Sequence, residues 1–282
     1  MKKGKWIYIV LILFCAAFFL GYRALDVMRQ DTKPPEIMMD GQLSISVLDS
    51  QDALLQGVSA KDDRDGNVTD SLVVESIIMT GQENTAKVVY AAFDSAGHVT
   101  KAERTVVFTD YRKPRFSLSA PLIYPSSASF DVLDRIRAED DLDGDISKRI
   151  RATSLTEESI GVQGSHDVKF RVTNSLGDSS ELVLPVEVYP ADAYKASLSL
   201  TDYLIYLAPG TAFNPKDYLY EYTRFDETIY LRGAFPEELS LKINGKVDTT
   251  VPGVYEVSYT VTGTLRETDY AAYSKLIVVV EG

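Results

Sequence analysis

Apolar and polar residues alternate with a period of two in short stretches along most of the chain. The clearest stretch is YEVSYTV, from Tyr255 to Val261, where aromatic and β-branched residues alternate with Glu, Ser and Thr. This period places one face of a strand in a core and the other in water. Similar runs bounded by turn-forming residues are KVVYAAFD, ERTVVFTD, HDVKFRVTN, ELVLPVEVY and SKLIVVVEG. The pattern predicts an all-β chain of antiparallel strands.

The first 30 residues have a different pattern, because the segment KKGK is followed by an uninterrupted apolar run from Trp6 to Tyr22. As a helix this run would span about 25 Å, near the lower limit for crossing a bilayer core. The lysines place the N-terminus in the cytoplasm. We therefore expect an uncleaved signal anchor, a single-pass location in the cell membrane and extracellular C-terminal domains. Cleavage as a signal peptide is the alternative, although the end of the run lacks a suitable pair of small residues.

An acidic, glycine-containing landmark occurs twice in the remaining chain. The stretch DDRDGNVTDSL from Asp62 recurs as DDLDGDISKRI from Asp140, an offset of 78 residues. Upstream, DTKPPEI from Asp31 resembles DYRKPRF from Asp110, and downstream the glycines of FDSAGH and TNSLGD lie 80 residues apart. A third, divergent copy is marked by VDTTVPGVYEVSYTV and lacks the acidic stretch. The near-constant spacing predicts tandem structural repeats.

The length of each repeat and the density of strands within it favour an antiparallel β-sandwich. The predicted fold is therefore all-β, with tandem Ig-like antiparallel β-sandwiches after one N-terminal transmembrane helix. The predicted segments are a cytoplasmic stub and signal-anchor helix, Ig-like domains 1 and 2, and a divergent Ig-like domain 3, at residues 1–30, 31–111, 112–190 and 191–282 respectively.

The order Pro-x-Ile, DxxDGxxT, Gly-x-Tyr-x-Val and Asp-Ser-Ala-Gly resembles bacterial Ig-like surface repeats. These are cadherin- and hyalin-like modules, also found in some crystal toxins and cell-surface adhesins. The resemblance covers residues 31–282 and rests on DRDGNVTDSL and FDSAGH, on DLDGDIS and TNSLGD, and on VDTTVPGVYEVSYTV. It implies an extracellular, non-enzymatic module that acts in spacing, adhesion or envelope assembly.

The acidic stretch allows three interpretations: a metal site, a catalytic cluster or a structural turn. A frame with Gly66 at position 6 of an EF-hand loop puts a leucine where the bidentate carboxylate belongs, so the stretch is not an EF-hand. An irregular calcium site could use Asp63, Asp65 and Asp70, but the second copy has Lys148 in place of Asp70. A turn needs only aspartates that accept backbone N–H groups and a glycine with positive φ. We predict the turn, with no cofactor and with calcium as the alternative.

Enzymatic function is not expected from these residues. The aspartates crowd one turn and the arrangement is duplicated, whereas catalytic carboxylates flank a substrate. The two histidines, His98 and His166, lie in different copies, and the single cysteine, Cys15, lies in the apolar run. A zinc site and a disulfide framework are therefore not expected. The formal net charge of -12 gives no electrostatic support for a nucleic-acid partner.

The third copy contains a cluster of tyrosines in DYLYEYTRFDETIYL. If this stretch is a strand, Tyr218, Tyr220 and Tyr222 share one face and could contact a protein partner or stack on a glycan. The alternative is that they fill the core of the sandwich. The expected partner is an envelope protein or a cell-wall polysaccharide. A third hypothesis is an accessory subunit of a membrane complex, with small residues of the apolar helix contacting other helices.

Overall fold

A computed structural model describes most of the chain, and the described residues are mainly β-strand. The described ranges are 11–23, 31–82, 84–155, 160–191, 195–224, 227–231, 235–237, 239–265 and 268–282. The chain divides into two compact units, Met1–Thr109 and Asp110–Gly282. The predicted domain boundaries after residues 111 and 190 stay predictions.

The N-terminal segment does not support the predicted membrane anchor. Residues 11–23 are helical with exposed side chains, and a helix of this length rises about 20 Å, against about 30 Å for a bilayer core. In the part of the chain that the structure describes, no helix is long and apolar enough to cross a membrane. The start of the predicted anchor, including Trp6, lies outside the described residues. The predictions of a transmembrane helix and of a single-pass membrane location are therefore corrected.

Among its described residues, the first copy is a sandwich of two sheets built from seven strands. The strands are β1 (Glu36–Met39), β2 (Leu43–Ile45), β3 (Val58–Asp62), β4 (Gly66–Asn67), β5 (Val73–Met79), β6 (Thr85–Phe93) and β7 (Val99–Phe108). One sheet has the order β1-β3-β4 and the other the order β2-β7-β6-β5. All neighbours are antiparallel except β2 and β7, which are parallel. Short 3₁₀ turns lie at Gln51–Leu55 and Thr69–Ser71.

The second copy repeats this arrangement strand for strand. Its strands are β8 (Arg115–Leu118), β9 (Ile123–Pro125), β10 (Ile136–Asp140), β11 (Gly144–Asp145), β12 (Arg151–Ser154), β13 (Gly164–Thr173) and β14 (Ser179–Tyr189). The sheets have the orders β8-β10-β11 and β9-β14-β13-β12, and β9 and β14 are again the parallel pair. Its 3₁₀ turns are Val132–Arg135 and Ser147–Arg149.

The third copy has the same connectivity although its sequence has diverged. Its strands are β15 (Ala196–Leu200), β16 (Leu204–Leu207), β17 (Leu219–Arg224), β18 (Glu227–Tyr230), β19 (Leu239–Asn244), β20 (Gly253–Leu265) and β21 (Thr268–Val280). The sheets are β15-β17-β18 and β16-β21-β20-β19, with β16 parallel to β21. A 3₁₀ turn, Pro215–Tyr218, precedes β17. The strand β18 takes the place of the two-residue strands β4 and β11.

Each sandwich buries the inward-facing residues of both of its sheets. In the second copy, Phe116 and Ile136 of one sheet pack in the same core as Val168, Phe170 and Leu184 of the other. The all-β, β-sandwich part of the fold prediction is therefore confirmed, because alternating strand faces meet across two packed sheets.

Strand β21 is buried on both faces and joins the third copy to the second. Leu276 and Val278 face the core of the third copy, whereas Ile277 lies in the core cluster of the second, together with Leu204 of β16. A strand that is covered on both sides has a continuous apolar sequence instead of an alternating one, as the run LIVVV shows. Residues 110–282 are therefore held together by a shared apolar layer.

Candidate functional site

The acidic stretch of the first copy is a turn between β3 and β4, as predicted. The carboxylate of Asp62 is buried, and its Oδ1 atom accepts hydrogen bonds from the backbone N–H groups of Arg64 (2.7 Å) and Asp65 (2.8 Å). Gly66 follows with a φ of 75°, a conformation that glycine adopts without strain. The neighbouring Ala60 is buried. The aspartate and glycine pattern therefore encodes this turn through bonds that span only two or three residues.

A second contact fastens this turn to the hairpin between β6 and β7. The two carboxylate oxygens of Asp65 accept hydrogen bonds from the backbone N–H (2.6 Å) and the hydroxyl (2.9 Å) of Ser95. Next to it, both oxygens of Asp94 contact His98: Oδ1 accepts from its backbone N–H at 2.7 Å, and Oδ2 lies 2.6 Å from its Nδ1. The acidic turn and the FDSAGH hairpin therefore form one cluster at the end of the sandwich.

The second copy reproduces both contacts at the equivalent residues. The Oδ1 atom of Asp140 accepts from the N–H groups of Leu142 (3.0 Å) and Asp143 (3.1 Å). Asp143 in turn accepts from the backbone N–H (2.7 Å) and the hydroxyl (2.6 Å) of Ser175. Burial alone would raise the pKa of Asp143, but hydrogen bonds from Ser175 and Arg149 outweigh it and lower that pKa.

The two copies differ in what faces the second oxygen of the buried aspartate. In the second copy, the side-chain amide of Asn174 donates to Asp140 Oδ2 (3.1 Å) and to the hydroxyl of Tyr111 (2.8 Å). Tyr111 donates to Asp178 Oδ2 at 3.1 Å, and its pKa is raised by burial and by the charges of Asp178 and Asp140. The cluster of the second copy is therefore a closed hydrogen-bond network.

In the first copy the equivalents of Asn174 and Tyr111 are Asp94 and Thr32. The Oδ2 atoms of Asp31 and Asp62 are buried and have no hydrogen-bond partner. One ligand atom each of Asp31, Asp62 and Asp65 lies within 4.8 Å of the other two, and the same holds for Asp31, Asp94 and His98. We call Asp31, Asp62, Asp65 and Asp94 the acidic cluster. Asp31 and Asp94 were not singled out in the sequence analysis. An alignment of the first copy with the second would have drawn attention to Asp94, because the second copy has Asn174 there.

The three residues of the calcium alternative are not brought together. Asp63 is exposed and pairs with Lys33 at 2.6 Å, and this hydrogen bond is the main cause that lowers the pKa of Asp63. Asp70 is exposed in the 3₁₀ turn Thr69–Ser71. Only Asp65 belongs to the acidic cluster. A calcium site at Asp63, Asp65 and Asp70 is therefore not supported by their positions.

The two histidines occupy unrelated positions in their copies. His98 lies at the hairpin of the first copy, whereas His166 is buried in β13, with its Nε2 atom 2.7 Å from the carbonyl oxygen of Val162. The equivalent of His98 in the second copy is Asp178.

The predicted tyrosine face is only partly present. Tyr218 ends the 3₁₀ turn, and Tyr220 and Tyr222 lie in β17. Tyr222 is 0% exposed and belongs to the core cluster of the third copy, and burial raises its pKa. Tyr222 therefore fills the core of the sandwich, as in the alternative interpretation, because the inward face of β17 is covered by the second sheet. Contact of Tyr218 or Tyr220 with a partner stays a prediction.

Sequence reasoning missed an exposed aromatic residue on the adjacent strand. Tyr230 of β18 is 66% exposed, and its ring stands edge-on to that of Tyr220 with centroids 6.0 Å apart. An open, mostly polar groove of about 780 Å³ also lies beside the β20–β21 hairpin, lined in part by Lys195, Glu237 and Asp269. Tyr230, with the half-buried Tyr220 beside it, forms an aromatic surface on the third copy.

Comparisons with known proteins give no close relative. No family model matches the chain, and no curated protein matches its sequence. The resemblance to bacterial surface repeats therefore stays a prediction.

Similar solved structures include protocadherin gamma B2 extracellular cadherin domains 1–5, at 11% identity and a TM-score of 0.20, covering 89% of this chain and 60% of that one. They also include the M60 catalytic domain with the CBM51-1 and CBM51-2 domains of Clostridium perfringens ZmpB (12% identity, TM-score 0.27, 87% and 43% covered). The structure of CBM51-2 in complex with GlcNAc and INT domains of the same protein is similar as well, at 16% identity and a TM-score of 0.23, covering 88% of this chain and 42% of that one.

The chain thus spans about two fifths to three fifths of the length of these proteins. TM-scores between 0.20 and 0.27 give no information about a site or a partner of this chain. The class of protein follows from the chain's own sheets: three copies with one seven-strand connectivity make it a tandem Ig-like β-sandwich protein.

Proposed function

We propose that this chain is a non-enzymatic Ig-like module that acts as a mechanical spacer and presents its sandwiches for adhesion or envelope assembly. The observation that carries the proposal is the apolar layer in residues 110–282, where Leu204 and Ile277 of the third copy are buried in the core cluster of the second. Each such side chain stabilises the joint by about 1.5–3 kcal/mol through burial. Two sandwiches joined in this way resist bending, as a spacer requires.

Polar contacts reinforce the same joint. The ammonium group of Lys275 in β21 lies 2.5 Å from Glu187 of β14 and 2.7 Å from Glu256 of β20. Burial alone would lower the pKa of Lys275, but the hydrogen bonds that it donates to both glutamates raise it. The hydroxyl of Tyr206 accepts a hydrogen bond from the backbone N–H of Phe116 at 2.9 Å. These contacts fix the orientation of the third copy on the second.

The aspartates of the acidic turns also fit a structural role. In both copies they accept hydrogen bonds from the backbone of their own turn and from the facing hairpin serine. Carboxylates that are engaged in this way hold loops in place and do not flank a substrate. The proposal therefore assigns no catalytic residue.

Single-molecule force spectroscopy of the full chain, pulled from its two ends, tests the spacer. Residues 110–282 should extend in one event of about 600 Å, since the two sandwiches are joined through the apolar layer that contains Leu204 and Ile277. Ile277→Asp should split this event into two of about 300 Å, whereas Val254→Asp, at an exposed position of β20, should leave it single. Extension of the wild-type chain without rupture peaks contradicts the spacer role.

A second candidate function is recognition of a cell-wall polysaccharide, favoured by the exposed ring of Tyr230 next to the half-buried Tyr220. Aromatic rings of this kind stack on sugar rings at low entropic cost. Binding of the full chain to purified cell-wall polysaccharide should fall at least tenfold in Tyr230→Ala and stay unchanged in Val251→Ala, which alters another exposed apolar residue. Equal binding by both variants contradicts this function.

A further inference from the structure

The acidic cluster of the first copy carries buried negative charge that its protein surroundings do not neutralise. The side chain of Asp62 belongs to a residue that is only 2% exposed, and its Oδ2 atom has no hydrogen-bond partner. Oδ2 of Asp31 is buried in the same way. Buried carboxylate oxygens are normally paired, because an unpaired buried charge is expensive. A cation placed between two such atoms would pair with both of them.

The side chain of Lys33, two residues after Asp31, is engaged outside the acidic cluster. The ammonium group of Lys33 binds Asp63, and only its backbone N–H reaches the cluster, donating to Asp31 Oδ1 at 3.2 Å. Asp94 is held by His98 through both of its oxygens, and its side chain is fully buried. The side chains of Lys33 and His98 therefore make no hydrogen bond to the Oδ2 atoms of Asp31 and Asp62.

We infer that the first copy holds one calcium ion, bound by Asp31, Asp62 and Asp65 with Asp94 beside them, and that the second copy has replaced this ion by its own side chains. Calcium binds carboxylate oxygens at 2.3–2.6 Å. Ligand oxygens around one ion are therefore at most about 5 Å apart. The separations of up to 4.8 Å among Asp31, Asp62 and Asp65 fit this sphere.

The second copy supplies an internal comparison for the same backbone. Its turn and hairpin make the same hydrogen bonds, but the amide of Asn174 stands where Asp94 would place a carboxylate, and it donates to Asp140 Oδ2. Tyr111 occupies the position of Thr32 and fills the remaining space with a hydroxyl. Within the described residues, the second copy has no group of three His, Cys, Asp or Glu side chains whose ligand atoms lie close enough to hold a metal ion. Two substitutions, Asn174 for Asp94 and Tyr111 for Thr32, thus account for a closed network in the second copy and free carboxylate oxygens in the first.

The ligand chemistry favours calcium over other divalent ions. Carboxylate oxygens are hard ligands, whereas zinc prefers the nitrogen and sulfur of His and Cys. Magnesium keeps several waters and demands near-ideal octahedral geometry at 2.0–2.1 Å. Several carboxylates from three separate segments, with separations of up to 4.8 Å, suit the larger and more adaptable ion.

Isothermal titration of the chelator-treated full chain with calcium chloride tests the inference, with magnesium chloride as a parallel titration. We expect one calcium ion per chain, with a dissociation constant between about 10⁻⁶ and 10⁻³ M, and at least tenfold weaker magnesium binding. At ten times the dissociation constant, calcium should raise the melting temperature of the first copy by about 6–11 °C.

Three substitutions locate the ion. Asp94→Asn installs the amide of the second copy and should weaken calcium binding at least tenfold, and without calcium it should melt higher than the wild type. Asp62→Asn should weaken binding similarly. Asp63→Asn, which alters the exposed partner of Lys33 outside the cluster, should bind within twofold of the wild type. Asp94→Asn keeps the test decisive if Asp62→Asn does not fold.

Three results overturn the inference. The first is no binding heat and no change in melting temperature at 10 mM calcium, which would mean that the acidic cluster binds no calcium. The second is wild-type binding by Asp94→Asn, which would place the ion elsewhere. The third is equal weakening by Asp63→Asn, which would indicate general screening of an acidic surface.

Discussion

The network around Asn174 gives the sharpest test of how the second copy is stabilised. Its amide nitrogen donates to Tyr111 and Asp140, and its Oδ1 atom accepts from the backbone N–H groups of Leu176 (3.0 Å) and Asp178 (2.9 Å). The side chain is therefore satisfied at all four positions while the residue is 5% exposed. Asn174→Asp keeps the size and both accepted bonds but removes both donors.

The expected loss of stability can be worked out from these bonds. The bond to the charged Asp140 contributes about 1.5–3 kcal/mol and the bond to Tyr111 about 0.5–1.5 kcal/mol. Their loss therefore lowers the free energy of unfolding by about 2–4.5 kcal/mol. The new carboxylate also faces Asp140 Oδ2 across the former hydrogen bond of 3.1 Å, so one of the two acids is driven to bind a proton.

Urea denaturation of the full chain at pH 7.5 and pH 5.0 separates these two effects. In Asn174→Asp the folded-state pKa of one acid lies above its unfolded value, so the penalty is largest at high pH and shrinks as pH falls through the folded pKa. Asn174→Leu removes the amide without adding charge, so its loss of free energy of unfolding should be the same at both pH values. Stability of Asn174→Asp within about 0.5 kcal/mol of the wild type, or equal pH behaviour of the two variants, would refute the reasoning.

Three further predictions follow from packing, backbone and charge. Ile277→Ala should destabilise residues 110–282 by about 2–5 kcal/mol and the exposed control Val254→Ala by less than about 0.5, as measured by urea denaturation. Gly245→Ala should lower the melting temperature of the third copy far more than Gly41→Ala lowers that of the first. A Cβ at Gly245 (φ 107°) would lie 2.1 Å from a backbone carbonyl oxygen, whereas a Cβ at Gly41 would lie in open space. A similar loss in melting temperature for both variants would contradict this prediction. The folded-state pKa of Asp143 is lowered, so its contribution to the free energy of unfolding should be complete above its unfolded pKa of 3.8 and be lost as pH falls further. Urea denaturation measured at a series of acidic pH values should show this loss, and Asp143→Asn should abolish it.

The repeat structure was predictable because its signals are local or periodic. The turn from Asp62 to Gly66 is specified by hydrogen bonds across two or three residues, so the same letters give the same turn from Asp140 to Gly144. The third copy lost those letters and kept its connectivity, which only its strand pattern indicated.

Three features were not predictable in this way. The apolar run from Trp6 gave the expectation of a membrane helix, which the described helix of residues 11–23 does not support. Alternation in β17 groups Tyr220 with Tyr222 but does not say which face is covered, and the second sheet buries Tyr222. The run LIVVV in β21 indicates a strand, whereas its burial on both faces depends on the packing of a neighbouring copy.

The sequence by itself determined the strands, their turns and the threefold repetition, because these depend on side-chain periodicity and on bonds between near neighbours. Only the tertiary structure decided which carboxylates meet. Asp31, Asp62 and Asp94 are separated by about 30 residues at each step, and the sandwich brings them together at one end. The physical reason is that the free-energy cost of burying a charge depends on the groups around it, and these groups come together only when the two sheets have packed.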